Sequence, residues 1–417
     1  MDADLLITGG RVVAETAVLP RGYVVVRGGR IVSIGAGDPP AAAAGAAGGP
    51  TAGRPSAGRP ATIDAAGLTV LPGLIDMHTH GIGDVDFMEA DTEGMLRALR
   101  RYAQFGLTGV VGSTLSNPFA NIVRQAGRMR KAREDRDIGD LLLGTHVEGP
   151  WLAPRCRGGH AAEYLCAPRA ADVDLLLGEA GDVIRTLTYA PELPGSVEMT
   201  ERIAARGIVP VLGHTEATFE QAEAAILAGA RHVTHMYDTT LGYHENPDEA
   251  LVMMPGMETA VLHHDEVSVE LIACPVHVPE PFFRFLAKVK PRHRTVIVSD
   301  SLVGTGSPEG TVLTYADGHR VYVEQGVLRM IDDDPKVNGN LTGSAVTLDV
   351  GLGRLMRYTG LPLEEAVRWC SLNPAITLGI DRERGSLRAG KRADIVLVDE
   401  HLAVRRTILG GRAVFAT

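Results

Sequence analysis

Two histidines at the end of a short apolar run are the first candidates for chemistry in this chain. Residues 71–81 read Leu-Pro-Gly-Leu-Ile-Asp-Met-His-Thr-His-Gly, a pattern that predicts a short buried strand. Residues at i and i+2 of a strand lie on the same side of the pleat. His78 and His80 have this spacing, so both imidazoles can bind one metal ion. A His-x-His pair also occurs by chance, so on its own it leaves a metal site and core histidines equally open.

Acidic and imidazole side chains close four later apolar runs in the same way. These residues are Glu148, His214, His235 and Asp300. Neutral imidazole and carboxylate suit Zn²⁺ and other divalent first-row metals, and a bridging carboxylate can hold two ions. A core residue whose hydrogen bonds are satisfied would explain any one of these positions, but this explanation accounts poorly for the whole set. The set therefore predicts six converging ligands for one or two divalent ions, with Zn favoured and Fe, Co or Mn also compatible.

Apolar runs alternate with stretches of helical spacing through the main body of the chain. The predicted strands are 74–80, 107–114, 141–148, 183–190, 208–214, 232–236, 267–273 and 296–300, and helices are predicted at 92–105, 119–133, 196–206 and 218–228. Eight strands, each followed by a helix, make an α/β fold of the (β/α)8 TIM-like barrel type. Functional groups of such barrels sit at the carboxyl ends of the strands, where all six candidate ligands fall.

Both ends of the chain carry β-branched runs broken by Gly turns. Because two half-sheets can each bury an apolar face against the other, we expect a small discontinuous β-sandwich domain formed by both chain ends. Its predicted parts are residues 1–70 and 380–417, and residues 71–379 form the predicted barrel domain. Residues 36–60 are rich in Ala, Gly and Pro, which predicts a flexible loop without chemistry.

Region 304–343 interrupts the strand–helix alternation with Gly-rich turns and short strands, which predicts a hairpin insertion of unassigned role. Two further helices are predicted after it, at 345–358 and 362–373, the second opened by Pro in its first turn.

Composition excludes several classes of protein. The chain has 417 residues, is 45% hydrophobic, and carries a net charge of −10, which favours a large globular core and argues against nucleic acid as the main partner. No apolar run is long enough to cross a bilayer, and the first residues lack a basic leader, so we expect no membrane partner and a cytoplasmic location. The four scattered cysteines favour free thiols. A small-molecule substrate is the best expectation.

The candidate residues lie in an ordered series of motifs that resembles the amidohydrolase superfamily. The motifs are Pro72–Gly81, Gly144–Trp151, Arg157–His160, Gly213–Ala217, Thr234–Tyr237 and Val298–Asp300, followed by the Gly-x-Leu-x-x-Gly-Lys-x-Ala-Asp stretch at Gly385–Asp394. Within that superfamily the chain most resembles the branch that deacetylates N-acetyl amino sugar phosphates. The resemblance implies metal-dependent hydrolysis of an amide C–N bond, with a small-molecule N-acyl substrate.

The resemblance also implies roles for individual residues. His78 and His80 match the ligands of one metal, and Glu148 matches a carboxylate that binds or bridges metal. His214 and His235 match the remaining imidazoles. Some members lack the His-x-His pair and use one metal, so its presence here favours two.

The same comparison assigns the catalytic groups. Asp300 matches the catalytic acid/base, and His160 matches a histidine that contacts the substrate carbonyl.

The sugar-phosphate pocket is where the sequence departs from this family. After the strand 6 histidine the family typically carries Asn-Ala-Met, whereas residues 236–240 here read Met-Tyr-Asp-Thr-Thr. Tyr237, Asp238 and Thr239 become candidate substrate contacts. An Arg from a neighbouring subunit normally precedes a Pro-Gly pair, whereas residues 251–256 read Leu-Val-Met-Met-Pro-Gly. Of the strand 7 motif of the family, the histidine is retained as His277, which is a further candidate substrate contact.

These departures favour an N-acyl substrate without phosphate, because phosphate needs positive charge or several N–H donors. Alternatively, Arg284, Lys288 or Arg292 supplies the missing charge. The family resemblance favours a homodimer, although the missing Arg removes one reason to expect it. Two other functions stay open: a cyclic amidohydrolase or deaminase on the same metal site, and a noncatalytic ligand-binding barrel.

Overall fold

The computed structural model describes residues 4–40, 60–314, 320–335 and 338–417. The amino-terminal strands are β1 (Leu5–Val13), β2 (Val18–Arg27), β3 (Arg30–Ala36), β4 (Ala61–Asp64) and β5 (Thr69–Pro72). Residues 41–59 of the predicted flexible loop lie outside the described residues.

The barrel and its loops come next in the chain. Their elements are β6 (Leu74–Thr79), β7 (Gly81–Ile82), β8 (Val85–Asp86), α1 (Thr92–Gln104), β9 (Leu107–Thr114), α2 (Phe119–Ala132), β10 (Leu142–Glu148), α3 (Ala170–Ala180), β11 (Ile184–Tyr189), α4 (Ser196–Ala205), β12 (Val209–Leu212), α5 (Phe219–Leu227), β13 (His232–Val233), β14 (Tyr243–Glu245), β15 (Met253–Pro255), α6 (Met257–His263), β16 (Ser268–Ile272), α7 (Glu280–Val289) and β17 (Thr295–Val298).

The carboxyl-terminal third adds an antiparallel insertion, three helices and the last strands. These are β18 (Val312–Thr314), β19 (Arg320–Glu324), β20 (Val327–Ile331), β21 (Leu341–Ser344), α8 (Leu348–Thr359), α9 (Leu363–Ala366), α10 (Leu372–Thr377), β22 (Ile395–Val398), β23 (Val404–Leu409) and β24 (Arg412–Ala416).

Eight parallel strands form the barrel, in the order β6-β9-β10-β11-β12-β13-β16-β17. Every residue of β6, β9, β10, β16 and β17 is buried, as expected for parallel strands that are covered on both faces. The first and last strands meet where the Asp300 N–H donates to the His78 carbonyl at 3.0 Å. The predicted α/β barrel is confirmed.

Strands from both chain ends share a second sheet, in the order β24-β23-β22-β5-β1-β2-β3, with β4 also paired to β1. Its own apolar core joins Ile7 and Val24 to Leu397 and Ile408. The contribution of both chain ends is confirmed, while the domain boundaries near residues 70 and 380 stay a prediction.

The insertion forms the four-stranded antiparallel sheet β18-β19-β20-β21, as its predicted hairpin pattern implied. The single helix predicted over 362–373 is wrong, because α9 ends at Ala366 and Ser371 is not helical, with φ −142° and ψ −74°. This break lets the Asn373 side chain donate to the Thr295 carbonyl at 2.7 Å, at the start of β17.

The β14–β15 hairpin exposes two methionines. Met253 and Met254 would be core residues by type, but they are 69% and 40% exposed.

No helix among the described residues is long and apolar enough to cross a membrane. The cytoplasmic location and the homodimer stay predictions.

Gly73 joins the two sheets, since it lies between β5 and β6. Its N–H donates to the Asp394 carbonyl at 3.0 Å, and a Cβ at this position would lie 2.1 Å from Thr108 Oγ1 of β9. Only a residue without a side chain fits between the small sheet and the barrel at this point.

Replacing Gly73 by Ala should therefore lower the free energy of unfolding by about 1–3 kcal/mol, because the added methyl overpacks the junction. Gly178→Ala in α3 is the matched control, since nothing lies within 4 Å of its Cβ position. The control should gain about 0.5–1 kcal/mol. Urea unfolding of both variants measures the difference, and equal midpoints would contradict the steric argument.

Candidate metal centre and active site

The six predicted ligands meet at the carboxyl end of the barrel. Glu148 stands at the centre, with its carboxylate oxygens 3.4 Å from His78 Nε2, 3.1 Å from His80 Nε2, 3.2 Å from His214 Nε2 and 3.3 Å from His235 Nε2. Asp300 Oδ1 lies 3.2 Å from His78 Nε2 and 3.3 Å from His80 Nε2. The four histidines and Glu148 are buried. The structure thus brings together residues that are up to 222 positions apart in the chain.

Hydrogen bonds to Nδ1 set the tautomer of three of these imidazoles, and so decide which ring nitrogen carries the lone pair. His78 Nδ1 donates to Glu270 Oε1 at 2.7 Å, and His214 Nδ1 donates to the Cys156 carbonyl at 2.8 Å. His235 Nδ1 lies 3.3 Å from the Asp238 carbonyl. Because carboxylate and carbonyl oxygens only accept, the hydrogen of each neutral ring sits on Nδ1. Each Nε2 therefore directs a lone pair into the site.

This arrangement fits a divalent cation. The Nε2 atoms of His78 and His80 are 3.2 Å apart, and those of His214 and His235 are 3.1 Å apart. Facing lone pairs repel each other unless a cation lies between them. Atoms that each lie about 2.0–2.2 Å from one ion are spaced in this way. The donor set supports a divalent metal, without indicating which one.

Two groups of three ligand residues share Glu148, namely His78-His80-Glu148 and Glu148-His160-His214. Burial raises the pKa of Glu148, but the facing His78, His160 and His214 outweigh it and hold the pKa well below the usual value. Glu148 is therefore an anion, as a bridging ligand must be.

Asp300 is likewise held as a carboxylate. Burial raises its pKa, but the nearby His78 and His80 outweigh that effect and bring the pKa below its usual value. The side chain is 19% exposed, so it lies at the open side of the centre. A deprotonated carboxylate in this position can accept a proton from a group entering the site.

Three of the predicted metal ligands have left-handed backbones. The φ angles are 49° at His214, 21° at His235 and 46° at Asp300. Non-glycine residues rarely adopt positive φ, and such strain concentrates at functional sites. Here each residue follows shortly after β12, β13 or β17, and the turn brings its side chain to the barrel axis.

His160 lies against the ligands rather than in solvent. It is 3% exposed, and its Nδ1 accepts the Ser116 N–H at 3.1 Å. The hydrogen of the neutral ring is therefore on Nε2, 3.5 Å from Glu148 Oε2. Burial lowers the pKa of His160 to about 4, so it is a neutral N–H donor facing the site.

The other predicted substrate residues follow strands β13 and β16 in the chain. The Tyr237 ring stacks on Phe282 at 4.0 Å between centroids, and the Thr239 hydroxyl donates to the Asp238 carbonyl at 2.8 Å. His277 Nδ1 lies 2.5 Å from Cys274 Sγ. Their roles as substrate contacts stay predictions.

Sequence reasoning missed Glu270, the carboxylate behind the metal ligands. Glu270 lies in β16, is 2% exposed, and accepts from Thr234 Oγ1 at 2.7 Å and from the His235 N–H at 3.0 Å as well as from His78. Its other oxygen lies 3.0 Å from His232 Nε2. The available signal was one acidic residue inside the apolar run 267–273.

Glu270→Gln should weaken metal binding about 10–100-fold, because the amide keeps the size of the side chain but removes the charge that orients His78 and raises its basicity. Competition with a chromogenic chelator measures the metal affinity. Glu266→Gln is the matched control, since Glu266 is exposed and pairs with His264 at 3.1 Å. Equal affinities in the two variants would show that Glu270 does not support the ligands.

Comparison with known proteins agrees with this geometry. The model of the amidohydrolase family matches residues 69–414. The chain is 31% identical over 347 residues to the N-acetylglucosamine-6-phosphate deacetylase of Vibrio furnissii, which covers 83% of both chains. It is 29% identical to the N-acetylgalactosamine-6-phosphate deacetylase of Escherichia coli O157:H7, over 82% of this chain and 86% of the relative.

Solved structures give the same result. The crystal structure of N-acetyl-D-glucosamine-6-phosphate deacetylase from Mycobacterium smegmatis superposes with a TM-score of 0.82 at 30% identity, covering 99% of this chain and 100% of that one. Because the family model spans most of the sequence, and because relatives named as deacetylases match over more than four fifths of the chain, the chain belongs to the amidohydrolase family of hydrolytic enzymes.

Proposed function

We propose that this enzyme removes the acetyl group from an N-acetyl amino sugar by hydrolysis of the amide C–N bond. The observation that carries the proposal is the buried set of Nε2 lone pairs around Glu148, beside the carboxylate of Asp300. The relatives named as deacetylases of N-acetylglucosamine 6-phosphate and N-acetylgalactosamine 6-phosphate support an N-acetylhexosamine as the substrate.

In this proposal His78 and His80 would hold one divalent ion, and His214 and His235 would hold a second, with Glu148 as a ligand common to both groups. Zn is the first candidate, and Fe, Co and Mn suit the same ligands. A bound divalent ion supplies Lewis acidity, which polarises an amide carbonyl and lowers the pKa of water from 15.7 to about 7.

The protein's own groups then move the protons. Asp300 accepts the proton of the attacking water, because its low pKa leaves it deprotonated. It returns that proton to the substrate nitrogen, since an amine is a poor leaving group as an anion. His160 presents its Nε2–H to the same space and donates a hydrogen bond to the acyl oxygen, where negative charge develops.

Asp300→Asn should lower kcat about 10²–10⁴-fold, because the amide cannot accept the proton. Acetate and free amine released from N-acetylglucosamine, with no ammonia, are the products to measure. Asp182→Asn is the matched control, because its side chain is 62% exposed and pairs with Arg130. An unchanged kcat in Asp300→Asn, at equal metal content, would exclude this proton transfer.

Arg155 and Arg157 lie in the segment between β10 and α3 that also carries His160. Arg155 pairs with Glu216 at 3.7 Å, and Arg157 donates to the His160 carbonyl at 2.8 Å. Glu258 is 7% exposed and shares a hydrogen bond with Thr240. Among the described residues, Glu216 thus partly offsets the charge of Arg155, which disfavours a phosphate dianion there.

Two of the three cations that the sequence offered as replacements have carboxylate partners. Arg284 pairs with Glu280 at 3.4 Å within α7. Arg292 pairs with Glu365 and precedes β17, so it lies at the amino end of the barrel, away from the ligands. This position argues against Arg292 as the source of charge for the substrate.

We accordingly propose a substrate without a 6-phosphate. The value of kcat/KM for N-acetylglucosamine should exceed that for N-acetylglucosamine 6-phosphate by at least tenfold, because the phosphate would lose hydration without gaining a cation. Initial rates at several concentrations of each sugar measure the ratio. A low KM and full turnover with the phosphorylated sugar would contradict the proposal that the substrate lacks phosphate. The proposed deacetylation reaction would still stand.

A further inference from the structure

A second polar cavity opens at the amino end of the barrel, opposite the metal centre. Its volume is about 330 Å³, which lies at the low end of pockets that bind small molecules, about 300–1,000 Å³. Four arginines line it, and we call it the arginine cavity: Arg133, Arg185, Arg384 and Arg392. Such a cluster is conspicuous in a chain with a net charge of −10.

Two of the four guanidinium groups already have carboxylate partners. Arg392 pairs with Asp140 at 2.8 Å and with Asp394 at 3.0 Å. Arg384 pairs with the other oxygen of Asp394 at 3.3 Å. Glu383 also lines the cavity, but it pairs with Arg30 at 2.8 Å. The acidic groups at this end of the barrel are thus engaged by other cations.

Arg133 and Arg185 are different. Their Nε atoms donate to the carbonyls of Leu142 at 3.1 Å and Leu143 at 2.9 Å, which anchors both side chains at the start of β10. Within the described ranges no carboxylate lies within 4 Å of either guanidinium. Burial, and then the charge of Arg133, lowers the pKa of Arg185. Two like charges are therefore held beside each other without a counter-ion.

The chemistry of the walls indicates the ligand. Guanidinium groups fixed through Nε keep their Nη donors free, and this planar fork matches two oxygens of a phosphate. Leu142, Leu143, Leu378 and Ile380 form the apolar part of the lining, which suits a small organic body attached to the anion. An anion between Arg133 and Arg185 would also relieve their repulsion.

We propose that the arginine cavity binds a phosphate monoester of small size, with its phosphate between Arg133 and Arg185. The site is separate from the active site, because Leu143 and Glu148 lie five residues apart on β10, about 16 Å along the strand at about 3.3 Å per residue. The proposal does not depend on the substrate of the metal centre.

Calorimetric titration of the metal-loaded enzyme tests the proposal, with inorganic phosphate and glucose 6-phosphate as separate probes. Glucose 6-phosphate has no amide to hydrolyse, so turnover does not interfere. We expect saturable binding of both probes, tighter for glucose 6-phosphate because its sugar contacts the apolar wall. Tighter binding of inorganic phosphate alone would identify the free anion as the ligand and overturn the monoester.

The double variant Arg133→Gln with Arg185→Gln should bind either probe at least tenfold more weakly. Its matched control is Arg97→Gln with Arg202→Gln, which removes the same charge from exposed arginines paired with Asp84 and Asp174. Any anion bound at the metal centre is common to both variants, so their difference isolates the cavity. Equal affinities in both variants, or no saturable binding in the unmodified enzyme, would overturn the proposal.

A crystal of the unmodified enzyme soaked in glucose 6-phosphate gives a measurement that needs no variant. Density for the sugar phosphate between Arg133 and Arg185 supports the proposal. Density confined to the metal centre overturns it.

Discussion

The central constraint on this structure is the repulsion between imidazole lone pairs that the fold brings together at one end of the barrel. Lone pairs of buried imidazoles converge on one carboxylate, and a divalent cation would relieve their repulsion. The surrounding architecture exists to hold that arrangement. Glu270 and the Cys156 carbonyl take the Nδ1 hydrogens of His78 and His214, so the rings can neither rotate nor change tautomer without losing a buried hydrogen bond.

The barrel makes this possible because parallel strands place all their carboxyl ends on one rim. Positive φ angles at His214, His235 and Asp300 show that the rim is shaped by strained turns. The buried strands on either side over-determine these turns, so the strain is tolerated. The two ends of the barrel carry different groups. The carboxyl end brings together imidazoles and carboxylates that suit a cation, and the amino end brings four guanidinium groups around a cavity.

A single hydrogen bond sets the tautomer of His160. His78, His214 and His235 carry their hydrogen on Nδ1, whereas His160 accepts the Ser116 N–H there and carries its hydrogen on Nε2. The same residue type, packed against the same Glu148, thereby becomes a donor to the site rather than a source of a lone pair. In a metal-dependent hydrolase both kinds of group are needed.

The sequence by itself determined the barrel, the participation of both chain ends in a second sheet, and the types of the central residues. These features are local: strand and helix periods repeat within a few residues, and a polar residue that closes an apolar run falls at a strand end wherever the strand lies. Tertiary structure decided what depends on partners distant in the chain. Glu270 supports His78 from 192 residues away, Arg133 and Arg185 meet only where two strands begin, and Met253 is exposed although its residue type favours the core. No local pattern encodes a tautomer, a missing counter-ion or an uncovered face, because each is set by which surfaces the fold brings together.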